Sequence, residues 1–169
     1  MHGDLRVGVD CCLMCHNVNQ TDIPYRDGSD EAHDPLSAVT VNFKDMIHRI
    51  HTGEELQSDY TVIGFMGSVH DFTEVRFPGR AQKCDICHTE DAFEVPLPDE
   101  VLSTLVDNGD TVVEVLPERA ACTSCHDSFM TNIHAVLNTD PGTGVETCAV
   151  CHGPGAEFAV DAAHEALAP

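Results

Sequence analysis

Residues 148–152 read Cys-Ala-Val-Cys-His. The same pattern recurs as Cys12-Leu13-Met14-Cys15-His16, Cys84-Asp85-Ile86-Cys87-His88 and Cys122-Thr123-Ser124-Cys125-His126. Eight of the nine cysteines fall in these pairs, with one spacing and a histidine directly after each. Cys-x-x-Cys-His is the attachment pattern of c-type haem. Its two thiols form thioethers with the haem vinyl groups, and the adjacent histidine ligates the iron from the proximal side. Four Cys-x-x-Cys pairs could also hold two Cys₄ zinc ions, a disulfide framework or iron–sulfur clusters, but none of these needs a histidine after each pair. Histidine is 11 of 169 residues, so four such coincidences have odds of about one in 50,000. The motifs therefore predict four covalently bound haem c groups.

Composition agrees. The chain has no Trp, two Tyr and seven Phe, little aromatic material for a core of this size. Four haems on 169 residues is about one per 42, enough for the macrocycles to serve as the apolar interior. The expected fold is one tetrahaem domain over residues 1–169: mostly coil, with short α-helices wrapped around stacked haems and little β. Nine Pro and twelve Gly suit a loop-rich chain.

The formal charge is −21, from 29 acids and 8 bases, of which only Lys44 and Lys83 are lysines. That excludes nucleic acid as a partner, because phosphate neutralisation needs a basic face. It also disfavours an anionic membrane surface. No apolar run reaches the ~18 residues of a membrane span. The start, "MHGDLRVGVDCC", lacks the basic end and apolar stretch of a signal peptide, so we expect either a removed leader or a segment of a longer product. Covalent haem and paired thiols imply assembly outside the cytoplasm. Cys11 reads as a small packed residue beside Cys12, with an intermolecular disulfide or reactive thiol as the alternative.

Each iron has a second axial position, and seven histidines lie outside the motifs: His2, His33, His48, His51, His70, His134 and His164. With histidine in surplus, the five methionines, Met14, Met46 and Met66 among them, read as packing. Residues 42–55, "NFKDMIHRIHTGEE", predict a short helix with start signals at Asp34-Pro35 and Ser37 and a stop at Gly53. Phe43, Met46, Ile47 and Ile50 form one stripe, and His48 and His51 lie on its neighbour, one turn apart. One haem iron cannot take both, since its other face already holds a proximal histidine. The pair therefore serves two haems, or one serves and one is spare. His70 lies among apolar residues before Cys84, and His134 and His164 lie on helix-like pieces after motif histidines. His33, in an acidic turn, reads as a solvated surface residue, and His2 as a frayed end.

"FKDMIHRIHTGEEL", "GFMGSVHDFTEVRFPG", "QKCDICHT", "CTSCHDS" and "CAVCHGPG" follow one another in that order. Together they resemble the C-terminal pentahaem module of the outer-membrane decahaem cytochromes of metal-reducing bacteria. The likeness runs from His2 to His164, and His2-Gly3-Asp4-Leu5-Arg6 matches a family segment that follows the module's first haem motif. It implies extracellular or cell-surface electron transfer through closely spaced bis-histidine haems. It also implies distal ligands at His48, His51, His70, His134 and His164, and other cytochromes or extracellular acceptors as partners. The family module has five haems and this chain has four motifs, which leaves more family-type histidines than irons. The expectation is a self-associating cytochrome, a filament or nanowire. In it a surplus histidine, His2 or a C-terminal one, bridges neighbouring subunits. The alternatives are a multihaem reductase with one open haem site and a monomeric surface or periplasmic shuttle subunit. Bis-histidine iron has no open position, so the expectation is a conduit and not an enzyme. The acidity predicts low potentials.

Overall fold

The computed structural model describes residues 7–26, 38–107, 111–140 and 142–165. His2 and His33, and the start signals at 34–37, lie outside them. Six short helices are present among the described residues: α1 (Val9–Leu13), α2 (Phe43–Thr52), α3 (Pro117–Thr123), α4 (Phe129–Leu137), α5 (Ala149–His152) and α6 (Val160–Glu165). Three two-stranded antiparallel sheets lie between them. They pair β1 (Thr61–Ile63) with β2 (Val69–Asp71), β3 (Thr104–Asp107) with β4 (Val112–Val115), and β5 (Thr139–Asp140) with β6 (Val145–Glu146). Short helices and small sheets joined by irregular chain match the expected sparse architecture.

Local sequence explains the helix ends. Asn42 caps α2, its side chain accepting the Lys44 N–H at 3.4 Å. Gly53 ends α2 where a Cβ would come within 2.5 Å of the Phe72 and Val75 carbonyls, so only glycine fits that approach. Pro117 opens α3, where a missing N–H costs nothing. Ser128 caps α4 by accepting the Thr131 N–H at 3.1 Å.

The interior is polar. Tyr60, Ile63, Val95, Ala120 and Ala159 are the buried hydrophobic residues among those described, outnumbered by buried polar ones. Asp22, 1% exposed, accepts the N–H groups of Val39 (2.9 Å) and Ile63 (3.1 Å) and pairs with Arg26 at 2.6 Å. Tyr60 donates to the Thr40 carbonyl at 2.9 Å. Asn42 donates to Thr104 at 2.9 Å, and Thr104 to Asp45 at 2.8 Å. The α2 stripe departs from expectation. Asp45 and Thr52 are its buried residues, while Phe43, Met46, Ile47 and Ile50 are half-buried. Large apolar side chains elsewhere face outward, among them Phe65, Phe129, Met130, Leu137, Val150 and Phe158. Met66 does not pack as expected but sits at an exposed hairpin tip with φ 59°.

Candidate haem centres

All four Cys-x-x-Cys-His motifs adopt one turn. The N–H groups of His16, His88, His126 and His152 each donate to the carbonyl of the motif's first cysteine at 2.9 Å. The second cysteine of each donates to the same carbonyl at 3.1 to 3.3 Å. Identical turns on four different supports point to one shared chemistry: the motifs lie on α1, on a 3₁₀ turn at Cys84–Ile86, at the end of α3 and on α5. No two cysteines are joined in a disulfide, and Cys11 is half-buried beside Cys12. Among the described residues no group of three or more His, Cys, Asp or Glu side chains converges as a zinc site requires.

Three motif histidines each face a histidine from outside the motifs. The ring centroids of His48 and His88 are 6.0 Å apart, those of His126 and His164 are 6.2 Å apart, and those of His134 and His152 are 6.2 Å apart. A metal held at about 2.0 Å by one nitrogen of each of two imidazoles separates their centroids by roughly 6 Å. The observed spacing is that of two imidazoles sharing one iron.

Two motif histidines have Nδ1 engaged by a backbone carbonyl. His16 Nδ1 lies 2.9 Å from the Val41 carbonyl, and His152 Nδ1 lies 2.9 Å from the Phe158 carbonyl. Both are proton donors there, which fixes the tautomer with Nε2 unprotonated and ready to ligate. Burial lowers the His48 pKa to about 4, helped by the charges of His88, His51 and Lys44, so the ring is neutral at physiological pH. Burial, then His126, lowers that of His164.

His51 and His70 do not share this arrangement. The ring of His51 packs on Phe77 at 5.1 Å and borders a cavity of about 230 Å³ that Arg76, Arg80 and Gln82 also line. His48 and His51 therefore reach different surroundings. His70 is exposed on β2, its Nε2 3.1 Å from Ser68 Oγ.

A family model described as outer membrane cytochrome MtrC/MtrF-like, domains II/IV, matches residues 1–165. The chain belongs to that family. No curated protein and no solved structure matches it. Membership in these outer membrane cytochromes makes the chain a multihaem cytochrome with covalently bound haem c, of a family suited to extracellular electron transfer at the cell surface. No described helix is long and apolar enough to cross a membrane. The geometry fits such a cofactor on three counts: identical attachment turns, facing histidines at iron spacing, and outward apolar side chains for a macrocycle to cover.

Several supporting residues escaped the sequence reading. Ser124, in a variable position of its motif, lies 3.4 Å from His48 Nδ1. The Thr52 hydroxyl lies 3.2 Å from Cys125 Sγ. Asp127 accepts the N–H groups of Gln57 (2.9 Å) and Ser58 (2.7 Å), tying the segment after α2 to the motif at 122–126. Only the tertiary fold brings these partners together, so no local pattern could mark them.

Proposed function

We propose that residues 1–169 form a single tetrahaem unit that carries electrons between outer-surface partners and performs no substrate chemistry. Cys12 and Cys15, Cys84 and Cys87, Cys122 and Cys125, and Cys148 and Cys151 would hold the four groups. His16, His88, His126 and His152 would be their proximal ligands. Bound haem supplies a one-electron iron couple, and two imidazoles per iron leave no position for a substrate. The carrying observation is that three motif histidines each face a different non-motif histidine at 6.0 to 6.2 Å. This pairs His48 with His88, His164 with His126 and His134 with His152. His51 and His70 then compete for the iron of His16.

Loaded protein should contain four haems per chain by pyridine haemochrome, all low-spin in both oxidation states. His134→Ala, His48→Ala and His164→Ala should each turn one quarter of the iron high-spin. A high-spin fraction in the unaltered protein that binds cyanide or nitrite would replace this reading with a reductase.

A second reading, assembly into a filament, rests on the histidine count. His134 and His164 face motif histidines of their own chain, so a filament would need the iron of His16 to take its second ligand from a neighbouring subunit instead of from His51 or His70, with His2, outside the described residues, as the candidate. Light scattering decides it: a monodisperse monomer under assembly conditions removes the filament.

A further inference from the structure

The motifs at 84–88 and 122–126 touch each other through their distal histidines. His48, which faces His88, directs Nδ1 at Ser124 Oγ (3.4 Å), inside the other motif. His164, which faces His126, directs Nδ1 at Cys84 Sγ (3.0 Å), inside the first. The exchange is reciprocal. Thr52, one turn beyond His48, adds a third link: its hydroxyl lies 2.8 Å from the His48 carbonyl and 3.2 Å from Cys125 Sγ. In the loaded protein Cys84 and Cys125 would be thioether sulfurs, which still accept weak hydrogen bonds.

Ser124 is 0% exposed, and its hydroxyl proton is taken by the carbonyls of Ala121 (2.6 Å) and Ala120 (3.1 Å). Its oxygen is then left as an acceptor, so His48 must donate from Nδ1. That fixes the tautomer that leaves Nε2 for iron. An acceptor on the far nitrogen makes an imidazole more basic, which favours ferric iron. His16 and His152 have carbonyl acceptors at 2.9 Å; a hydroxyl at 3.4 Å is weaker, leaving His48 the less basic ring.

We propose that the two motifs form one interlocked pair, and that Ser124 is the positioning residue that orients His48 and tunes the iron site His48 shares with His88. This rests on the ligand pairing given under Proposed function. Reduction of one site should therefore be felt at the other, because each distal ring leans on the other site's attachment loop.

The test is a potentiometric titration of the full, haem-loaded chain, followed by visible and electron paramagnetic resonance spectra. Ser124→Ala should keep four low-spin haems and move one redox step to higher potential. The expected change is up to tenfold in that site's oxidised-to-reduced ratio, or 59 mV for one electron. Ser124→Thr, which restores the hydroxyl, should return the step towards its original position. No shift in Ser124→Ala, or the same shift in both variants, overturns the proposal. If neither variant loads haem, the unaltered reduced protein decides. A nuclear Overhauser contact between the His48 Nδ1 proton and the Ser124 β-protons supports the proposal, and its absence sinks it. His48→Ala separates the two levels: without a new high-spin quarter, the ligand pairing itself has failed, and Ser124 falls with it.

Discussion

Residues 38–63 and residues 129–165 are held in different ways. The first segment carries its own interior: Thr40, Asn42, Asp45, Thr52, Tyr60, Thr61 and Ile63 are buried, and the Asp22 carboxylate and Thr104 hydroxyl reach in from elsewhere to bind it. In the second, Gly153 and Ala159 are the buried residues among those described, and α4 buries none. Phe129, Met130, Leu137, Val150 and Phe158 face outward there. Large apolar side chains left outward in this way mark a surface with a missing partner. On the proposed reading, a macrocycle attached at Cys148 and Cys151 would be that partner. Protein hydrogen bonds organise the first segment, and on that reading the cofactor would organise the second.

The sharpest break is to remove that cofactor. Replacing Cys148 and Cys151 by Ala should abolish attachment at one motif while leaving three haems on the chain. Hydrogen exchange should then show amides of 129–165 opening at close to zero free energy, with those of α2 and β1 still protected. Equal protection of both segments after the loss would end the comparison. The next effect runs the other way. Asp22→Ala strips Arg26 of a buried partner and leaves the Val39 and Ile63 N–H groups unanswered, which should cost about 3–5 kcal/mol in urea unfolding. Haem content should stay at four, since Asp22 bonds to no motif. A cost below 1 kcal/mol would mean that the first segment, too, depends on haem.

The sequence made the four motif turns legible and left the polar core unread. Four repeats of Cys-x-x-Cys-His mark the attachment turns because haem chemistry fixes both residue type and spacing. The scarcity of aromatics likewise pointed to a borrowed interior. That His48 and His51 would not share one iron was legible too, because a haem iron with a proximal histidine has a single free axial position. Asp22, Asp45 and Thr104 gave no signal, since acids and threonines on an acidic chain look solvated until distant backbone closes over them. The α2 stripe misled for a related reason. Phe43, Met46, Ile47 and Ile50 have helical periodicity, but the face that meets protein is that of Asp45 and Thr52, which leaves the apolar residues only half-covered. Ser124 and Thr52 owe their places to contacts over 70 residues apart in sequence.

The smallest effect separates two acids within the first segment. Asp22 is answered by two N–H groups and an arginine, whereas the Asp45 carboxylate has the Thr104 hydroxyl as its side-chain donor. Burial therefore raises the Asp45 pKa above its ordinary value of 3.8, with Thr104, Lys44 and Arg49 opposing. The folded chain holds this proton at a pH where the unfolded chain has released it. Stability from this group is greatest below pH 3.8 and declines as pH rises to the elevated folded value. Asp45→Asn keeps an acceptor for Thr104 and removes the buried charge. It should leave stability at pH 7 unchanged or raised by about 1 kcal/mol, and should flatten the slope above pH 3.8. Read by hydrogen exchange, the gain should be confined to α2 and the chain around Thr104, with 129–165 unmoved. A gain that spreads into 129–165 would mean that the two segments open as one unit, and that haem and polar core are a single cooperative structure.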